Sequence, residues 1–236
     1  MTLKDIYDQL SFGELRLLFM GSDPDDVEQG LPEESFYKML PHIQLGLTAL
    51  HKRFELREGQ VLVPLTWPTQ SVYVLAAKKS LPEDWADDLL MIKAIYGELE
   101  GCEYEIPLNN GGYPDAIRTI SFNTLQLPTD EKEAPWLLET GTLRVVYRAN
   151  HPRMDVPVAN AAPLVTEVDL PDQYLEALCY WVASRLYNPV GMTPGAMHDG
   201  NNFYQKYEMA CMQLEAQGQV INEANKSTQW AQGGWA

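Results

Sequence analysis

Basic residues are scarce in this chain. Its 17 Lys and Arg stand against 33 Asp and Glu, a formal charge of −16 over 236 residues. A surface of that sign has few cations to displace the counterions of a nucleic-acid backbone, so gripping DNA or RNA is excluded as a main task. Standing close to DNA is not excluded, because an acidic wall lets the polymer slide past without sticking. Cysteine is sparse as well. Cys102, Cys179 and Cys211 are too few and too scattered for a disulfide framework or a zinc site. A reduced, cytoplasmic place of synthesis fits, with Cys179 and Cys211 as small fillers on helix faces. Apolar runs are short, so no membrane span is expected. The opening "MTLKDIYDQL" lacks the basic and then apolar regions of a signal peptide. Without secretion, the sequon "NKS" at 225–227 is expected to be a chance match.

The patterns that carry chemistry are missing too. There is no G-x-x-x-x-G-K-[ST], no G-x-G-x-x-G and no G-x-S-x-G. The histidines His42, His51, His151 and His198 lack metal-ligand spacing, and His42 and His51 do not share a helix face closely enough to chelate. The acidic stretch "DPDDVEQGLPEE" offers Asp23, Asp25 and Glu34 at calcium-loop positions. It fails because Val27 cannot ligate and Glu28 stands where glycine is required. Asp87–Asp88 and Glu33–Glu34 are expected to face solvent or cap helices. No catalytic residue, no cofactor and no metal is expected.

What is present is an ordinary globular composition, 45% hydrophobic and 21% charged. Leu3, Ile6, Tyr7 and Leu10 recur at helical spacing behind Thr2, a plausible N-cap with Asp5 three residues on. Ser11 and Glu14 repeat the capping-box pattern, which predicts a second helix in "SFGELRLLFM". A long helix follows, with Phe36, Met39, Leu40, Ile43, Leu47, Leu50 and Phe54 on one seam. Pro41 should kink it or mark its start. Gly46 costs helix stability and suits close approach of another helix.

From Glu58 the period changes. "GQVLVPL" and "SVYVLAA" read as short strands around a turn at "TWPTQ". "DDLLMIKAIYGE" suits a helix or a buried strand. Strand is chosen, because "GELEG" then turns into "CEYEIPL" as a hairpin. "NNGGYP" is a loop. "AIRTISF", "TLQLP" and, after the charged loop "TDEKEAPW", "GTLRVVYRA" complete seven strands. That count suggests a β-sandwich or barrel.

"NHPRMDVPVANAAPLVTEVDLP" reads as an extended crossing back to helix. Asp169 is placed as the next cap with Pro171 in the first turn. Tyr174, Leu175, Leu178, Val182 and Leu186 form that helix's face. "MTPGAMHDGNN" is read as a loop. The last helix is expected from about Phe203 to Gln217, with Phe203, Tyr207, Ala210, Cys211 and Leu214 inward. The expected class is therefore α+β. Residues 1–56 and 168–218 form a small helical bundle, 57–150 an inserted β-sandwich-like module, 151–167 an extended linker and 219–236 a polar tail. Trp230 and Trp235 cannot be buried by so short and polar a tail by itself, so it is either a disordered end with incidental tryptophans or an anchor that orders on a partner, and the anchor is the expectation chosen. Gln229, Trp230, Gln232 and Trp235, with Tyr204 and Tyr207, are the candidate partner-binding residues.

The stretches "LKDIYDQLSFGELRLLFM", "GLTALHKRFELREGQVLVPL", "LPDQYLEALCYWVASRLYN" and "FYQKYEMACMQLEAQG" resemble the head-to-tail adaptor (connector) proteins of short-tailed bacteriophages. The likeness lies in the order of parts: an opening helix, a G-L-x-x-L-H-x-R-F helix running into strands, a β module, and a closing helix pair with F-Y-x-K-Y-E-x-A. It covers nearly the whole chain, and its individual motifs are less specific than their order. It implies a structural virion protein in a ring of about twelve copies beneath the portal. The partners implied are the portal protein, a tail tube or nozzle protein and other copies of the chain. DNA would pass through the channel without specific binding, and no membrane or cofactor is involved. A rival reading is a tail-associated β-sandwich that recognises glycan or receptor through Trp67, Trp85 and Trp136, for which packing roles are the simpler expectation. A third is an enzyme whose site follows none of the known patterns.

Overall fold

The structure, a computed structural model, describes residues 1–15, 33–76, 87–130, 132, 134–154, 166–187 and 194–218. The class is α+β. The chain divides into two compact units, Met1–Glu55 with Met154–Ala236, and Leu56–Arg153.

In the first unit, α1 spans Leu3–Phe12. Its capping box is reciprocal: the Asp5 amide donates to Thr2 Oγ1 at 3.3 Å and the Thr2 amide donates to Asp5 Oδ2 at 2.7 Å. Ser11 does not begin a new helix. It lies buried inside α1, which stops where the Gly13 amide donates back to the Gln9 carbonyl. The second helix expected from there falls mostly outside the described residues, as do the calcium-like loop, Trp85 and the sequon. Helix α2 spans Glu33–Arg53, so Pro41 is interior to it rather than its start. Phe36, Met39, Ile43, Leu47, Leu50 and Phe54 are all buried, each contributing about 2 kcal/mol through apolar burial.

The next helix of this unit begins with a single tight turn, Asp172–Tyr174, that leads into α4 (Leu175–Leu186); the short α3 (Trp136–Glu139) belongs to the other unit. Asp169 makes no cap: Pro171, in extended conformation, holds the N-cap position without a side-chain bond. Helix α4 packs against α1, α2 and the last helix, α5 (Pro194–Ala216). That central place explains why Ala177, Cys179, Ala183 and Ser184 are buried beside the expected stripe. Helix α5 begins nine residues before Phe203, so the reading of "MTPGAMHDGNN" as a loop is corrected. Pro194 suits a first helical turn, and buried Gly200 is held by packing that outweighs its weak propensity. Of the expected linker, only its ends are described. Glu167 bridges Thr2, and the Leu3 amide donates to the Thr166 carbonyl at 2.9 Å.

The second unit holds seven strands among the described residues, in two antiparallel sheets. One runs β1 (Glu58–Pro64), β7 (Thr142–Ala149), β3 (Leu89–Leu99), β4 (Cys102–Ile106); the other runs β2 (Val72–Val74), β6 (Thr124–Gln126), β5 (Arg118–Ser121). Val61, Val63, Ile95, Leu143 and Val145 of the first sheet share one core with Tyr73 and Leu125 from the second and with Ile117, just before β5. The β3–β4 hairpin closes through Glu100 and Gly101, both at positive φ (55° and 73°), the geometry a two-residue turn demands. Two register shifts break β3. They explain its ambiguous pattern: the inward residues Leu89, Ile92, Ala94 and Ile95 do not alternate.

The charged loop before β7 ends in a short helix, α3 (Trp136–Glu139), that the sequence did not announce. Trp136 is 1% exposed and its Nε1 donates to the Asp115 carbonyl at 3.3 Å. Asp88 corrects a second expectation. It is 8% exposed rather than solvent-facing. Tyr147 Oη donates to its Oδ1 at 2.9 Å and Arg57 reaches its Oδ2 at 3.1 Å.

Candidate partner-binding surface

Of the six candidate residues, Gln229, Trp230, Gln232 and Trp235 lie outside the described residues. The other two sit on α5 and part company. Tyr204 is 43% exposed, whereas Tyr207 is 4% exposed. The reason is helical geometry. Tyr207 shares its face with Cys211 and Leu214, which pack inward, while Tyr204 sits at the boundary of that face. Tyr207 is therefore the core residue that its place in the inward stripe implied, and its choice as a partner contact is corrected. Its ring meets Trp181 edge-on at 5.1 Å.

Around this pair the helices assemble an aromatic cluster that joins rings of α5 to Trp181 and Tyr187. Trp181 lies 6.1 Å from Tyr204, which lies 5.9 Å from Tyr207. Tyr187 stacks on Phe203 at 5.1 Å. Cations cover two of the rings: Arg185 stands 4.4 Å from the Trp181 centroid and Lys206 4.9 Å from that of Phe203. Such contacts are worth about 0.5–1 kcal/mol each at exposed sites. Arg53 joins α2 to α5 through Glu208 and Glu215, both at 2.6 Å. The two glutamates are seven apart on α5 and so share a face, the one trace of this clamp in the sequence.

The phenols and thiols here are held in their neutral forms. A hydrogen bond to Glu208, then burial, raises the Tyr204 pKa. Burial pushes the Tyr207 phenol and the Cys211 thiol up. Burial and a 2.9 Å bond to Glu176 push Tyr180 up to about 12. Burial holds the Cys179 thiol far above its ordinary range. Neither buried cysteine is poised as a thiolate nucleophile.

The outward side of α5 is its most distinctive surface. Asn202, Gln205, Met209, Met212, Gln213 and Ala216 are arrayed along it, with Met209 61% and Met212 59% exposed. They recur at helical spacing opposite Tyr207, Cys211 and Leu214, and the exposed Lys206 lies among them, one turn from Asn202 and Met209. The signal was in the sequence, as a second stripe on the same helix. Trp67 and Trp136 do not form a platform: Trp136 is enclosed in the β core and Trp67 packs partly buried against it. No helix among the described residues is long and apolar enough to cross a membrane. The chain matches no known protein-family model, and no curated protein gives a significant match to it.

Proposed function

We propose that the chain is a structural virion protein: a head-to-tail adaptor that forms a ring beneath the portal and extends the DNA channel toward the tail. The observation that carries this reading, beside the order of motifs, is the exposed, methionine-bearing strip on α5. Copies of a chain with a net charge of −16 repel one another. A face that exposes Lys206 but no Asp or Glu along 201–216 is where they approach at least electrostatic cost. Methionine suits such a face because its flexible thioether adapts to an apolar partner. The occupant of this strip is a second copy of the chain. Residues 219–236, with Trp230 and Trp235, supply the contact to the portal. Many weak anchors on one ring hold it far better than any one would. The acidic surface keeps the passing DNA from sticking.

The test is assembly. Mixed with portal rings, the protein should appear as a stacked collar in electron micrographs. The double substitution Met209→Glu and Met212→Glu should leave a folded chain that sediments as a monomer. Deletion of 219–236 should leave ring formation intact and abolish joining to the portal. A charged strip that still permits rings, or a truncated chain that still joins portals, defeats the corresponding assignment.

A further inference from the structure

The β unit carries a cleft that the adaptor reading does not use. It encloses about 440 Å³ between the loop around Gly111–Ala116 and the segment Gln126–Thr129. That lies within the range of small-molecule sites, about 300–1,000 Å³. Tyr113, Arg118, Gln126 and Thr129 line it, together with the bare backbone at Gly112.

The walls are already fixed. The Asn109 amide donates to the Ile117 carbonyl and the Ile117 amide to the Pro107 carbonyl, both at 2.9 Å, closing the loop at its base. Asn109, at φ 52°, accepts from the Thr119 amide at 2.8 Å and donates to Thr119 Oγ1 at 2.7 Å. Gly112 donates to Asn110 Oδ1 at 3.1 Å. Tyr104 Oη donates to Asp115 Oδ2 at 3.1 Å. A ligand entering here has little loop to order, which removes one of the main costs of binding.

The lining has a chemical bias. Several other cations of this unit are spoken for: Arg57 by Asp88, Lys93 by Glu58 and Arg144 by Glu103. The Arg118 side chain is exposed, and its strand register sets it opposite Gln126, a neutral amide. In so acidic a chain, a cation set opposite an amide is available to an outside anion. Tyr113, 49% exposed, lines the same cleft and offers it an aromatic ring. Gln126 and Thr129 add a neutral amide and a hydroxyl. The wall is more polar than a peptide side-chain pocket requires.

We propose that this cleft binds a carboxylate-bearing sugar residue. The Arg118 guanidinium takes the carboxylate through two parallel N–H donors. The Tyr113 ring receives the apolar face of the pyranose. Gln126 and Thr129 bond its hydroxyls. The proposal does not depend on the adaptor reading, since it concerns the other unit and a different surface.

The experiment is a ¹H–¹⁵N NMR titration of the full chain with D-glucuronate, with D-glucose and with acetate. Glucuronate should shift amides in 111–118 and 126–129 saturably, with a millimolar Kd. Glucose and acetate should bind at least about tenfold more weakly, the first lacking the charge and the second the ring. Arg118→Gln and Tyr113→Ala should each weaken glucuronate about tenfold or more, with the amides of Thr142–Ala149 unmoved. Equal binding of acetate would mean a bare anion site, and equal binding of glucose would mean that Arg118 plays no part. Either outcome overturns the proposal, as does the absence of saturable shifts. Should Arg118→Gln disturb the Thr142–Ala149 amides, Tyr113→Ala decides alone: it changes an exposed loop residue, and unchanged affinity refutes the site.

Discussion

Replacing Gly46 with alanine places a methyl group where two helices touch. A Cβ at this position of α2 would stand 2.7 Å from Leu178 Cδ1 and 2.7 Å from Trp181 Cδ1 on α4. Apolar carbons ordinarily rest about 3.5–4.0 Å apart. One or both side chains must therefore retreat by about 1 Å. Leu178 has no room to do so, because it is fully buried and its helix is packed on several sides. Overpacking of this kind costs about 1–3 kcal/mol. Against it stands the better helix propensity of alanine, worth about 1 kcal/mol. The net expectation is a loss of about 1 kcal/mol. In urea, followed by far-UV circular dichroism, the midpoint should fall by about 0.5 M at an unchanged slope of about 2 kcal/mol/M. Leu178→Ala should cost about 2–5 kcal/mol on its own. In the Gly46→Ala background it should cost at least about 1 kcal/mol less, since the new methyl relaxes into the vacated space. A Gly46→Ala variant that is more stable than its parent, with no coupling to Leu178, would refute the close packing of α2 on α4.

Tyr147→Phe removes one of the two side-chain partners of buried Asp88. It should destabilise the β unit by about 1–3 kcal/mol, the cost of an underbonded buried acceptor, read as lost amide protection along Thr142–Ala149. Arg53→Ala breaks both ion pairs to α5, whose members are about a quarter to a third exposed. The loss should be about 1 kcal/mol after allowance for solvent screening, and the gap to the parent should narrow at high salt, measured by thermal melting. Glu14 is half-buried, and burial raises its carboxyl pKa above the usual 4.5. A raised folded-state pKa means stability that is full below about 4.5 and lost as pH climbs through the folded value. Glu14→Gln should therefore raise the melting temperature at neutral pH, with the gain vanishing below about pH 4.5.

Much of the local structure was legible because its causes are local. The Thr2–Asp5 cap, the α2 seam and the alternation of β7 each follow from backbone repeats that a few neighbouring residues reveal. The same logic misled where tertiary contact overrode propensity. "MTPGAMHDGNN" has the composition of a loop, yet it is helical from Pro194. Strand β3 hid its period because its bulges shift the inward face. The six candidate residues were chosen for type rather than place. Tyr204 and Tyr207 have the same side chain three positions apart, but only the packing of α5 on α4 separates an exposed ring from an enclosed one.

The sequence by itself determined the α+β class, the passage from helices to strands and back, and the acidic charge of −16. These depend on composition and on periods no longer than a helical turn or a strand pair. Only the tertiary structure decided that Asp88 is buried between Arg57 and Tyr147, that Arg53 clamps two glutamates of α5, and that Tyr113 and Arg118 border one cleft. The first two join side chains dozens of residues apart, and the third depends on how a loop closes over a sheet. Such meetings are set by the mutual packing of elements, for which no short stretch of chain carries a signal.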